Sequence, residues 1–191
     1  MAFWKHARVF AILTILVAIT TGSACADKVV KSPTRGIFGA KVGIMSRANV
    51  RGDLRLRTAV GSTGQVYADL PITTRLYVAT SFDFYYIQLV RDNDIMIDAN
   101  VGLKYEIPLP RANMFLRPGV AFGFGFLPEI NAIDASTYAT TKLFLEAHFP
   151  VNPRRSFVSE LAVWGAPVGR NNMYDITLGP AFMLRVGLAF R

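Results

Sequence analysis

Lys41, Asp69, Arg75, Asp83, Asp98, Lys104, Glu106, Arg117, Lys142, Glu146, Glu160, Asp175 and Arg185 are seven acids and six bases set at alternate positions among apolar neighbours. Brought to one face, residues of both signs would pair, because a desolvated charge is costly unless it meets an opposite one. Such a belt can act as a self-neutralising plug, or as a narrow path for a solute. Asp69 and Arg75 flank one sharp reversal of the chain and are expected to pair directly. His148 would face the same way, beside Glu146. Catalysis there requires a nucleophile held by an oriented base; the next residue on that face is Pro150, so His148 reads as part of the polar plug.

A second group is basic. Arg47, Arg51, Arg55 and Arg57 share one polar stretch with Asp53 as its only acid. Arginine grips phosphate oxygens with a planar fork, so phosphate is the chemistry this stretch suits; a solvated loop with no dedicated ligand is the other reading. Arg51-Gly52-Asp53 resembles an integrin-binding tripeptide, a match that three residues reach easily. The glycines of 119–125 precede no helix and so do not form a phosphate loop, and no nucleic-acid module or cofactor motif is present.

The elements that must position these residues begin after a leader. Lys5 and Arg8 precede the apolar run VFAILTILVAIT and the small-x-small site Ala24-Cys25-Ala26, which marks residues 1–26 as a cleavable signal peptide. Residues 27–35 form a short lead-in, and 36–191 the folded body. Loss of the leader lowers the net charge from +8 to +6 and leaves no cysteine. The exported domain is therefore held by neither disulfides nor a zinc-type cysteine cluster. His148 remains as the only histidine, which excludes a multi-histidine metal site.

Past the leader the periodicity is two. In IDANVGLKYEI (97–107), Ile97, Ala99, Val101, Leu103, Tyr105 and Ile107 alternate with Asp98, Asn100, Gly102, Lys104 and Glu106, which puts the two sets on opposite faces of a strand. DLPITTRLYV, EIPLPRANMFL and HFPVNPRRSFV repeat one pattern, an apolar residue and a proline before a short polar turn. Pro71, Pro108 and Pro150 suit strand ends because proline donates nothing to a ladder. Three short turns alternate with looser segments near 46–64, 88–94, 127–137 and 165–173. Eight antiparallel strands follow, near 36–45, 65–70, 75–87, 94–107, 113–126, 138–149, 156–164 and 174–190.

The apolar face, from Phe38 and Val42 through Phe82, Phe122 and Leu143 to Ile176, Leu178, Phe182 and Leu188, carries no charge. The opposite face mixes its charges with Gly39, Gly43, Gly102, Gly119, Gly123, Gly125, Gly179 and Gly187. Glycine has little merit on an open solvated face but makes room in a narrow lumen. Tyr105, Phe149, Phe157 and Phe190 fall near the short-turn ends of the apolar face, and Phe84, Tyr86, Phe126 and Tyr174 near the loop ends. They suit the two interfaces of a bilayer. The charged face therefore points inward.

The leader, the Pro turns, the Gly-aromatic run RPGVAFGFGF and the closing strand DITLGPAFMLRVGLAF resemble the small eight-stranded outer-membrane barrels of Gram-negative bacteria, the OmpA/OmpX-like group, from about residue 35 onward. The resemblance implies an all-β, eight-stranded antiparallel up-and-down transmembrane barrel, with 27–35 as a periplasmic lead-in. It also implies insertion by the barrel-assembly machinery, which reads a terminal aromatic; here Phe190 is followed by Arg191. The expected role is non-catalytic, structural or surface-interacting through the loops. A small passive pore, a lipid A-modifying enzyme and an adhesin are the alternatives. Expected partners are outer-membrane lipids and the phosphates of lipopolysaccharide. No cofactor, metal or nucleic acid is expected, and the protein is expected to be a monomer.

Overall fold

A chain whose side chains alternate with period two can bury one face only by pairing its strands edge to edge, and only a closed sheet leaves no unpaired edge. The computed structural model describes residues 35–51, 56–57, 60–89, 92–128, 135–170 and 175–191. Within these ranges the side chains at 50, 51, 56, 57, 89, 92–94, 170, 175 and 176 lie outside the description, as do the leader and the lead-in up to residue 34.

The strands are β1 (Ile37–Met45), β2 (Asn49–Arg51), β3 (Leu56–Arg57), β4 (Gly61–Pro71), β5 (Leu76–Leu89), β6 (Asp92–Tyr105), β7 (Ile107–Leu109), β8 (Met114–Leu127), β9 (Ser136–Asn152), β10 (Arg155–Arg170) and β11 (Asp175–Phe190). β1 and β2 both pair with β11, and β6 and β7 both pair with β8, so each couple is one interrupted stave. β3 extends the hairpin from β2 towards β4. The result is an antiparallel barrel of eight staves. It closes where β1 pairs with β4 on one side and β11 on the other, from Phe38↔Phe190 to Met45↔Met183.

The three reversals at one rim are tight. Between β4 and β5 the Thr73 side chain accepts the N–H of Leu76 at 3.0 Å, and Leu76 O accepts the N–H of Ile72 at 2.8 Å. Between β7 and β8 a single 3-10 turn (Pro110–Ala112) ends on Asn113 with φ 47°, a left-handed conformation that asparagine tolerates. Between β9 and β10 the Asn152 side chain accepts the Arg154 N–H at 2.9 Å. Pro71, Pro108 and Pro150 occupy rungs just before these reversals, paired with Tyr77, Phe115 and Ser156.

The ladders run further towards the other rim than the apolar alternation suggests. β4 begins at Gly61 rather than near 65, β10 continues to Arg170, and the loop expected at 88–94 is mostly ladder, with Gln88↔Asn93 and Leu89↔Asp92 paired. A backbone amide needs its partner whether its side chain meets lipid or water, so hydrogen bonding outlasts the hydrophobic pattern.

The exterior is apolar: Phe38, Val42, Val66, Phe82, Val101, Phe122, Leu143, Leu161 and Leu184 are all well exposed. Between the two rims no charged residue among the described side chains faces outward. Leu178 departs from the expected phase and points inward, buried. The register of β10 against β11 slips between Trp164, Ala166 and Gly169, and Gly179 has φ +93°. An irregularity of one residue moves every side chain beyond it to the other face.

A cation placed on the middle of this exterior is expected to be expelled by lipid. Val101, opposite Thr80 and Phe122, lies midway between the aromatic rims. Val101→Arg should lower the unfolding free energy in phospholipid vesicles by about 2–4 kcal/mol, and Val151→Arg near the turn rim by about 0–1 kcal/mol, measured by guanidinium titration.

Candidate functional site

Inward positions on neighbouring staves meet at fixed register, and this decides which charges can touch. Glu146 faces Glu160 across β9 and β10, an arrangement that would repel. The Lys41 amine, from β1, sits between the two carboxylates and donates to both. Lys104 Nζ lies 2.9 Å from Asp69 Oδ1 and 2.9 Å from Glu146 Oε1. Arg117 donates to Glu106 and lies 3.5 Å from Asp69 Oδ2. The Tyr67 ring lies under both lysines, 4.4 Å from Lys41 Nζ and 4.5 Å from Lys104 Nζ. His148 Nε2 is 3.1 Å from Glu146 Oε2.

Towards the loop rim, Asp83 and Asp98 stand opposite one another on β5 and β6 and divide the available donors. Asp83 takes the charged ones: Lys142 at 2.9 Å and Arg185, whose Nη1 also lies 3.2 Å from Glu160. It accepts in addition from Gln65, Asn100 and Ser81, at 2.9, 2.9 and 2.8 Å. Asp98 instead accepts from neutral groups, the Tyr138 hydroxyl at 2.6 Å and Trp164 Nε1 at 2.8 Å. Tyr85 and Trp164 pack with ring centroids 5.2 Å apart.

Six carboxyl side chains thus lie buried with five buried bases. A sixth base comes from Arg191, whose Nη2 is 3.7 Å from Glu106 and whose guanidinium lies 5.1 Å from the Phe115 ring centroid. Arg75 departs from expectation. It stands half-buried in the first turn, while Asp69 is taken by Lys104 and Arg117. The reason is geometric: Arg75 lies beyond the last rung of β4–β5, whereas Lys104 and Arg117 project into the lumen at Asp69's level. Glu106 meets that turn through its backbone, its N–H donating to Arg75 O at 2.7 Å. The side chain of Asp175 lies outside the described residues.

Of the lumen's neutral members, Asn100 shares the face already assigned to Asp98 and Lys104, whereas Tyr67, Tyr85, Tyr138, Trp164 and Gln65 were not singled out by charge, nor was Arg191. Parity was the signal that could have found them, since each shares an inward phase with a charged residue on its own stave. The glycines have a specific task there. Gly39, Gly119 and Gly125 face Tyr67, Phe144 and Tyr138 on the next stave, and a Cβ on any of them would lie 2.8, 2.3 or 2.3 Å from that ring. The ring lies over the bare backbone, which lets large side chains fill a narrow cylinder.

Of the basic loop, Arg47 is described and exposed. The side chains of Arg51 and Arg57, all of Arg55, and Gly52 and Asp53 of the tripeptide lie outside the described residues, as does Tyr174. Among the described residues no cluster of His, Cys, Asp and Glu is arranged to hold a metal ion.

No family model and no curated protein matches the chain. Solved structures do. The chain resembles Neisserial surface protein A with a TM-score of 0.59 at 13% identity, covering 82% of this chain and 99% of that one. Ail, the attachment invasion locus protein of Yersinia pestis, aligns with a TM-score of 0.48 at 12% identity over 82% of this chain and 99% of that one. The N-terminal β-barrel domain of Pseudomonas aeruginosa OprF aligns with a TM-score of 0.45 at 11% identity over 82% and 98%. At 13% identity the first likeness shows a shared fold, that of the small eight-stranded outer-membrane barrels.

Removing one partner from a buried ion pair leaves the other charge uncompensated, which costs more than the pair itself contributes. Asp83→Asn strands Lys142, leaves Arg185 with Glu160 alone, and is expected to lose about 3–5 kcal/mol in guanidinium unfolding in micelles. Arg75→Gln, at the rim, should change stability by less than about 0.5 kcal/mol.

Proposed function

We propose that this chain is an outer-membrane protein without catalytic activity, a closed scaffold that holds its loops at the cell surface. One observation carries the reading: apolar side chains cover the outside while the lumen is occupied by charges that pair with one another. An exterior of exposed Phe, Leu and Val is disfavoured in water and favoured in lipid, and a closed barrel is one of the two structures that satisfy every backbone group there.

The same lumen weighs against a passive pore. A cavity lined by Tyr67, Lys104, Lys142, Glu146 and Glu160 among others has about 10 Å³, the room of roughly one water. Passage of an ion would require breaking pairs buried in a medium where each broken pair is costly. It also weighs against a lipid A-modifying enzyme. His148 is fully buried with Nε2 held by Glu146, and among the described residues its Nδ1 has no hydrogen-bond partner. Among the described residues, a lipid substrate finds no route to it and no hydroxyl is held for activation.

What remains is presentation. Lipid grips the belt, the paired lumen keeps the cylinder rigid, and the loops meet the outside. Phosphates of lipopolysaccharide are the partner that the arginines around Arg47 suit, through bidentate contacts. The barrel-assembly machinery would insert the chain, which would then stand as a monomer. An adhesive role for Arg51-Gly52-Asp53 rests on the tripeptide alone.

Reconstituted in planar bilayers, the protein is expected to give no stepwise conductance; reproducible steps would replace this reading with the pore. In cold dodecyl sulfate the folded barrel should migrate apart from the boiled sample. Identical mobility before and after heating would overturn the membrane-barrel assignment.

A further inference from the structure

The two rims carry different charge patterns. At the tight-turn rim every reversal contributes arginine: Arg75 between β4 and β5, Arg111 in the Pro110–Ala112 turn, and Arg154 between β9 and β10 with Arg155 opening β10, while Arg35 precedes β1. The two acids nearest this rim, Asp69 and Glu106, are buried and engaged by Lys104, Arg117 and Arg191. Among the described residues, no exposed Asp or Glu side chain on this rim answers the five arginines. The sequence between the staves that end at the other rim contains acids as well as arginines, Asp53, Glu129 and Asp134 among them.

One part of the arginine rim has a built geometry. Arg155 pairs with Phe190 across β10 and β11, and Phe190 pairs with Phe38 across the closing seam. The two rings stack at 5.5 Å, and the Arg155 guanidinium lies 5.9 Å from the Phe190 centroid. Phe157 and Phe149 form a second ring pair beside it at 6.3 Å. Arg155 is exposed and lies on the outward, apolar side of the wall, not over the lumen. Arg154, also exposed, is tethered on both sides: its N–H donates to Asn152 Oδ1, and its carbonyl accepts the Arg191 N–H, each at 2.9 Å.

We propose that Arg155, over the Phe38–Phe190 stack, and its neighbour Arg154 bind the phosphate of an anionic phospholipid headgroup in the leaflet at the turn rim, with Arg35, Arg75 and Arg111 extending the site into a collar. This rests on the reading above that the apolar belt lies in lipid. A guanidinium forks two phosphate oxygens, and the aromatic surface below it offers a seat for the glycerol and upper acyl chain. A free phosphate ion would use the arginines but gain nothing from the rings. Each arginine at such a surface adds attraction for an anionic leaflet.

The test uses the mature chain folded in neutral detergent micelles, with folding verified first by heat-shifted gel mobility. Phosphatidylglycerol or phosphatidylcholine with identical acyl chains is then titrated, and bound lipid is counted by native mass spectrometry. Wild type should retain phosphatidylglycerol in preference to phosphatidylcholine. Arg154→Gln/Arg155→Gln should lower that retention by about fivefold for each arginine removed. Arg155→Lys, which keeps the charge and loses the fork, should fall between. Equal retention of the two lipids, a preference that survives the double substitution, or displacement of phosphatidylglycerol by inorganic phosphate would each overturn the site. Failure of wild type at the folding check would overturn the membrane reading before any lipid is added, so the two failures are distinguishable.

Discussion

Taken out of water, a carboxylate or an ammonium group must find its opposite, and in a cylinder of eight staves there is nowhere else for it to look. This constraint organises the interior. Glu146 and Glu160 stand side by side only because Lys41 reaches between them from β1, past the intervening β11. Asp83 and Asp98 stand side by side only because one collects cations and the other the Tyr138 and Trp164 donors. Each inward charge is thereby tied to a stave that is not its neighbour in sequence, so the ion pairs act as struts across the lumen. The glycines belong to the same solution. Without bare backbone at Gly39, Gly119 and Gly125, the rings that line and separate these pairs would not fit.

Outside, the constraint is reversed. Lipid offers no hydrogen bonds and no counter-ions, so the wall keeps charge away from its middle and meets the interface with aromatic residues such as Tyr105, Phe149 and Phe157 at the turn rim, with Phe84, Tyr86 and Phe126 near the other. Charge returns only beyond those rings. Its distribution there is unequal, arginine alone at the tight turns and both signs in the loop segments, which gives the two ends of one simple cylinder different surroundings to prefer.

The likeness to Neisserial surface protein A speaks to the cylinder and no further. Barrels of this size share a wall and a filled lumen while their loops diverge, so function has to be argued from the site and not from the fold. In this molecule the filled lumen is informative by what it leaves little room for: a channel for solute, or access of a bulky lipid to His148.

Much of this was legible in the residues alone. Alternation in IDANVGLKYEI separates a lipid face from a lumen face, since a strand allows no other arrangement of neighbouring side chains, and the proline-marked reversals set the number of staves. Parity placed Lys41, Asp83, Lys104, Arg117 and Glu146 on one side of the wall without any knowledge of their partners. Partnership itself was not readable, because it depends on the stagger between staves far apart in sequence; Asp69 joins Lys104 and Arg117 across the lumen while Arg75, six residues away, stays at the rim. Nor was the reversal of Leu178, since a slip in register at Gly179 leaves the composition of the strand unchanged. Period and hydropathy are local properties, written in each stave separately, and they determined which way side chains point wherever the ladder runs unbroken. Closure is a property of all eight staves at once, and only closure decided which side chains meet.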